Sequence, residues 1–251
     1  TSGNVKFYQL DKEDDEVAMN TAKGDVYYCG DEDDGHAKKN KWLKTWLPDD
    51  TEEEEDDKSW FWFDKNGKLY RTGITSTASN ATKYKLDEGK LVVDKYSTGV
   101  AKKKVNSKDY YFDANGVMLS KFYLIGDDMY YFGGSDDGSM KTGSQSIRDD
   151  AGDTFKFYFT TKGDKKGAGI IGNQGGKLYY FGMLIQADDY RYQIATITDK
   201  NNNPHSFIVN ANGSIQHSYK TQYKEDGDVL IETYASGTTK FESTKGAYEN
   251  E

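Results

Sequence analysis

Four pairs of adjacent tyrosines, Tyr27-Tyr28, Tyr110-Tyr111, Tyr130-Tyr131 and Tyr179-Tyr180, carry the side chains best suited to chemistry in this chain. That chemistry is contact rather than bond making. Neighbouring side chains in a strand point to opposite faces, so each pair sets one ring into a stack and one nearer solvent. An exposed ring presents a flat apolar face to a sugar, while Asp, Asn and Lys take its hydroxyls. The same alternation puts Trp60 and Trp62 on one face and Phe61 and Phe63 on the other.

Groups that make and break bonds are sparse. Cys29 with His36, His205 or His217 has the composition of a nucleophile and base. No catalytic signature surrounds Cys29, and it takes the third place of an aromatic triplet, Tyr27-Tyr28-Cys29, where a small buried hydrophobe belongs. The acidic stretches Asp31-Glu32-Asp33-Asp34-Gly35 and 49–57 have the oxygens calcium prefers, but neither has the spaced Asp-x-Asp-x-Asp-Gly order. Both read as solvated loops. Gly172-Asn173-Gln174-Gly175-Gly176 is a turn with no helix after it, so it is not a nucleotide cradle. The expectation is a non-enzyme with no cofactor and no metal.

The rings must be positioned by a repeating element. Phe61-Trp62-Phe63-Asp64-Lys65-Asn66-Gly67 returns as Tyr110-Tyr111-Phe112-Asp113-Ala114-Asn115-Gly116. Looser copies run Tyr130 to Gly138 and Phe207 to Gly213. Aromatic residues favour strands, and Asp-x-Asn-Gly is turn chemistry, so each copy predicts a β-hairpin. A short second strand follows at Lys68-Leu69-Tyr70, Val117-Met118-Leu119 and Ser214-Ile215-Gln216. Gly35, Gly67, Gly89, Gly116, Gly138, Gly163 and Gly213 set the register, a period in the low twenties with insertions. The weakest copies are Tyr84 to Gly89 and Phe155 to Phe159, and Tyr179-Tyr180-Phe181-Gly182 has the rings without the expected turn. Lys12 to Lys23 is the one weak helical candidate.

The expected class is therefore all-β, an elongated β-solenoid of stacked hairpins. Its parts are a lead-in at 1–24, hairpin repeats at 25–218 with an acidic insertion at 49–57, and a hairpin or cap at 219–251. The 251 residues are 35% hydrophobic and 14% aromatic, with 20 Tyr, 12 Phe and 4 Trp. The rings argue against disorder and suit thin aromatic layers rather than a deep aliphatic core. Net charge is -9, which disfavours nucleic acid and anionic membranes. No run is long and apolar enough to span a bilayer. One cysteine makes no disulfide framework, and 2 Pro fit turns made by Gly, Asn and Asp. The chain opens at Thr1-Ser2-Gly3 without a signal peptide, as expected of a mature or excised chain.

Tyr-Tyr-Phe-Asp-x-x-Gly-x-Met at 110–118 and Gly-x-Met-Lys-Thr-Gly at 138–143 resemble the cell-wall-binding repeats of Gram-positive bacteria. That family holds choline-binding repeats, glucan-binding repeats and the receptor-binding repeats of large clostridial toxins. The likeness covers about 25 to 215 and is strongest at 60–73 and 109–143. It implies a secreted or surface-attached protein whose partner is choline on teichoic acid, an α-glucan or another glycan. In the family, a Trp after Thr-Gly meets the first and third aromatics of the next triplet, and together they hold the quaternary ammonium by cation–π attraction. Here Ile74 and Ser144 stand at the Trp place, and Asp109, Met129 and Leu178 at the leading place, so those cages are expected to be absent. One set survives: Trp42, Trp60 and Trp62 match the pattern and are expected to converge.

The candidate ligand-binding rings are thus Trp42, Trp60, Trp62, Tyr28, Tyr111, Tyr131 and Tyr180. The alternative for the three tryptophans is that they pack the first turns of the array. Three readings of the whole chain stand side by side: a wall- or polysaccharide-binding module, a host-glycan or receptor-binding adhesin, and a structural spacer with degenerate repeats.

Overall fold

The computed structural model describes residues 25–29, 36–47, 58–71, 79–188, 191–216, 223–225 and 228–231. The lead-in at 1–24 with its helical candidate, the acidic stretches 31–35 and 49–57, Ile74, His217 and the tail after 237 lie outside them. The described residues form sixteen strands and no helix. In chain order these are β1 (Lys41–Thr45), β2 (Ser59–Phe63), β3 (Ser79–Asp87), β4 (Lys90–Val105), β5 (Lys108–Phe112), β6 (Phe122–Ile125), β7 (Asp128–Tyr131) and β8 (Gly143–Arg148). There follow β9 (Thr154–Phe159), β10 (Gly172–Gln174), β11 (Lys177–Tyr180), β12 (Met183–Leu184), β13 (Tyr192–Thr198), β14 (Pro204–Asn210), β15 (Tyr223–Glu225) and β16 (Asp228–Ile231). Sheets run β1-β2, β5-β4-β3-β6-β7, β10-β11-β12-β9-β8, β13-β14 and β15-β16. The chain is thus all-β, built of antiparallel hairpins. Two compact units divide it. One holds Thr1–Tyr84, Val93–Gly126 and Tyr131–Met140, and the other Lys85–Val92, Asp127–Tyr130 and Lys141–Glu251.

Three copies of the repeated phrase fold the same way. In the turn, one side-chain oxygen captures two backbone N–H groups. Asp113 Oδ1 accepts from Asn115 at 2.9 Å and Val117 at 2.8 Å. Asp64 does so for Asn66 and Lys68, and Asn210 for Asn212 and Ser214. The glycine closes the turn by donating to the carbonyl of the same Asx residue. Before the turn, the third residue of the triplet is the core anchor: Phe63, Phe112, Phe132, Phe159 and Val209 are at most 2% exposed.

Copies are joined by a second regularity. Leu69, Met118 and Met140, each two residues past a left-handed glycine, donate N–H to Val26, Trp60 and Asp109 of an earlier copy at 2.8–2.9 Å. Each acceptor stands immediately before an aromatic triplet. In the second unit Gly169 donates in the same way to Met129, and Ile215 to Gly176, three residues before Tyr179-Tyr180-Phe181. The glycine itself abuts the earlier copy. A Cβ on Gly116 would lie 2.9 Å from Leu69 Cδ2, and one on Gly138 would strike Met118.

This ladder revises the glycine register. Gly167, two residues before Gly169, holds the repeat position in the fifth hairpin, not Gly163. Gly89 is not a repeat glycine: with Glu88 it makes the two-residue turn of the inserted β3–β4 hairpin, both residues left-handed. Phe181 and Gly182 make a similar tight turn between β11 and β12. The spacing missed one turn altogether. Asp199 Oδ1 caps Asn201 and Asn203 at 2.8 Å, with Asn202 left-handed at φ 62° where glycine usually stands. The Asn203 side-chain amide first, then the backbone N–H groups, pulls the Asp199 carboxyl pKa down to about 2.

Two expectations follow from this local chemistry. Gly116→Ala combines φ 81° with the Leu69 contact and should cost about 2–4 kcal/mol by urea denaturation. At Asp113 burial pushes the carboxyl pKa up against the pull of its amide hydrogen bonds. A raised folded-state pKa favours the fold at low pH and loses that advantage as pH rises through it. Asp113→Asn keeps the acceptor, as Asn210 does, and should gain on the parent as pH rises. Asp113→Ala should lose about 1–2 kcal/mol at acid pH, where the parent carboxyl is neutral.

Candidate aromatic binding site

Pairing of β1 with β2 sets Trp42 directly opposite Trp62 and Lys44 opposite Trp60. Alternation then sends Phe61 and Phe63 to one side, where they pack with Val26 and Leu69. Trp60 and Trp62 go to the other, with Tyr110, Phe112 and Met118. The three expected tryptophans do come together. Trp42 lies at the centre, with ring centroids 5.3 Å from Trp62, 6.5 Å from Trp60, 4.8 Å from Tyr110 and 5.7 Å from Phe112.

Those separations are contact distances for aromatic pairs. The rings fill the space between themselves, and an ammonium has no room between Trp42 and either Trp62 or Tyr110. Trp62 and Tyr110 are buried at 7% and 9% exposure, whereas Trp42 and Trp60 are half-buried. The cluster is therefore a layered platform: a buried floor of rings with two indoles reaching solvent. Its edge is charged. Asp136 Oδ1 accepts from Trp60 Nε1 at 2.9 Å and from Lys44 Nζ at 2.7 Å. The Lys44 hydrogen bond first, then that of Trp60, holds the Asp136 carboxyl below its ordinary range.

The candidate tyrosines sit apart from this cluster. Tyr28 packs on the Val26–Phe63 side, 6.3 Å from Phe63. Tyr111 lies 5.3 Å from Phe132, and Tyr131 lies 4.6 Å from Phe122. Tyr180, in the second unit, lies 4.6 Å from Phe181 and its hydroxyl hydrogen-bonds Thr198 Oγ1 at 2.9 Å. All four are half-buried. Their partners Tyr110, Tyr130 and Tyr179 are buried, while in the first pair the order reverses and Tyr27 is 40% exposed. Burial raises the pKa of Tyr110, Tyr131 and Tyr179.

The leading positions without tryptophan are occupied by core. Met129 and Leu178 are buried aliphatics, and Asp109 is buried beside Lys102 Nζ at 3.6 Å. Ser144 is an exposed strand residue opposite Tyr158. Cys29 is a free, half-buried thiol rather than a buried one. Its chain neighbour Tyr28 is the ring that reaches the core, so the thiol is left nearer the surface. Among the described residues no group of three His, Cys, Asp or Glu stands close enough to hold a metal, and no helix is long and apolar enough to cross a membrane.

Several participants escaped the sequence reading. Tyr110 joins the tryptophans because its copy stacks beside theirs; its same-face place one repeat on was the available signal. Asp136 comes from a third copy, and nothing in its spacing points to Lys44. Lys58 Nζ stands 4.1 Å over the Trp46 ring, a cation–π pair that neither residue's motif announces.

No protein-family model matches the chain, and no curated protein does. Its neighbours among solved structures include choline-binding proteins. Choline binding protein F from Streptococcus pneumoniae, crystallised in the presence of a peptidoglycan analogue, is 19% identical with a TM-score of 0.35, over 86% of this chain and 83% of that one. A second crystal form of that protein gives 21%, 0.29, 66% and 56%. CbpJ from Streptococcus pneumoniae is 16% identical with a TM-score of 0.33, over 86% and 85%. The pneumococcal cell wall endolysin from phage Cp-1, complexed with choline, is 17% identical with a TM-score of 0.27, over 86% of this chain and 43% of the endolysin. This chain thus spans 56% of the protein in that second crystal form and 43% of the endolysin. The site's chemistry rests on its own geometry.

Proposed function

We propose that this chain is a non-catalytic binding module that attaches a secreted or surface-attached bacterial protein to cell-wall polymer or polysaccharide. Its hairpin repeats stack as a solenoid and present aromatic platforms. The observation that carries the reading is the pair of half-exposed indoles, Trp42 and Trp60, over a buried ring floor with Asp136 and Lys44 at the edge. A sugar ring laid on an indole gains apolar contact, and the carboxylate and ammonium at the rim take its hydroxyls. The mutual ring contact favours this stacking over an ammonium cage. Tyr28, Tyr111, Tyr131 and Tyr180 are further, weaker platforms whose sites multiply by avidity along a repetitive polymer.

Co-sedimentation with purified Gram-positive cell walls, with and without excess choline, and with an insoluble α-glucan, tests it. Sedimentation that choline leaves untouched and that Trp60→Ala lowers about tenfold is the expected result. Release by choline would put a cation in the tryptophan cluster and overturn the platform. No sedimentation with wall or glucan would leave host glycans or a spacer role. Trp42→Ala differs from Trp60→Ala because it removes the central ring, and should also cost about 2–4 kcal/mol in denaturation.

A further inference from the structure

The second unit has a cleft of about 560 Å³ that the repeat pattern does not account for. Three elements meet there: the turn of the inserted β3–β4 hairpin, the start of β9, and the segment from β12 to Asp188. The asparagine turn after β14 closes one end through Ala211 and Asn212.

Phe155 gives the cleft its aromatic wall. Phe155, Phe157 and Phe159 share one face of β9 by alternation. The inner two are buried and stacked, with centroids 6.0 Å apart and planes 2° from parallel, while Phe155 is half-buried and opens on the cleft. Gly89 fixes where that ring lies. A Cβ there would stand 2.8 Å from Phe155 Cε1, so the turn meets the ring only because the residue is glycine. Met183 and Ile185 add apolar surface.

The uncharged polar lining is of one kind. Three carboxamides, Gln186, Gln193 and Asn212, and the Thr154 hydroxyl each offer both a donor and an acceptor. The Gln193 carbonyl oxygen accepts from the Asp188 N–H at 3.2 Å, which fixes that side chain at the rim. The charges balance, with Lys90 and Lys156 against Glu88 and Asp188. A balanced site with paired donors and acceptors and one aromatic face does not select an ion. It fits a polyhydroxylated ring with an apolar face, and the volume lies in the range of small-molecule sites.

We propose that this cleft is a saccharide-binding site for a neutral sugar unit, separate from the tryptophan platform. It stands whether or not Trp42 and Trp60 bind anything. Titration of the 15N-labelled chain with N,N′-diacetylchitobiose and, separately, isomaltose tests it by amide shifts. Saturable shifts at Phe155, Gln186 and Gln193 with either disaccharide are the expected result. The Trp60 indole N–H reports the platform in the same spectrum, so the two sites succeed or fail independently. Phe155→Ala and the exposed Gln186→Ala should each weaken the cleft shifts at least about fivefold. Absence of saturable shifts at those amides with both sugars, or binding unaltered by both variants, would overturn the proposal.

Discussion

A single side-chain oxygen holding two backbone N–H groups governs the architecture. When Asp64, Asp113 or Asn210 captures the amides two and four residues ahead, the chain reverses and the glycine is forced left-handed. The residue two past that glycine then donates its N–H to a carbonyl of an earlier stretch, and in the first two turns its side chain, Leu69 or Met118, meets the next repeat glycine. Hairpin formation and hairpin joining are thus one event. A small apolar layer suffices because each copy inherits a ready-made edge to pair with.

That economy shapes the rings. With few aliphatic residues, each layer is closed by aromatic side chains packed on one another, so Trp42 touches four rings at once. Packing and recognition then use the same atoms. The floor rings are consumed by the core, and only a ring at the margin of a layer keeps a face for a ligand. Trp60 holds that margin in the first unit, as Phe155 does in the second.

Departures from the repeat make the individual features. The β3–β4 hairpin interrupts the series, and its turn walls the cleft beside Phe155. Asp136 belongs to a copy whose turn is longer, and that carboxylate reaches Lys44 and Trp60. A perfect repeat would have offered identical faces. The irregular copies supply charge and concavity.

The sequence by itself determined the class and the unit. Ring triplets followed by Asx-x-Asn-Gly can satisfy their backbone only as hairpins, because the turn bonds are local and written in consecutive residues. Alternation likewise fixed that Trp60 and Trp62 face away from Phe61 and Phe63. The tertiary structure decided which glycine keeps the register. Gly163 and Gly167 are equally plausible in sequence, and only the bond from Gly169 to Met129 selects between them. It also decided that the tryptophans pack into contact, since the distance between rings depends on how closely separate copies stack. The meeting of Asp136 with Lys44, and of Gly89 with Phe155, spans long stretches of chain with no periodic signal. Such contacts exist only once the hairpins have docked.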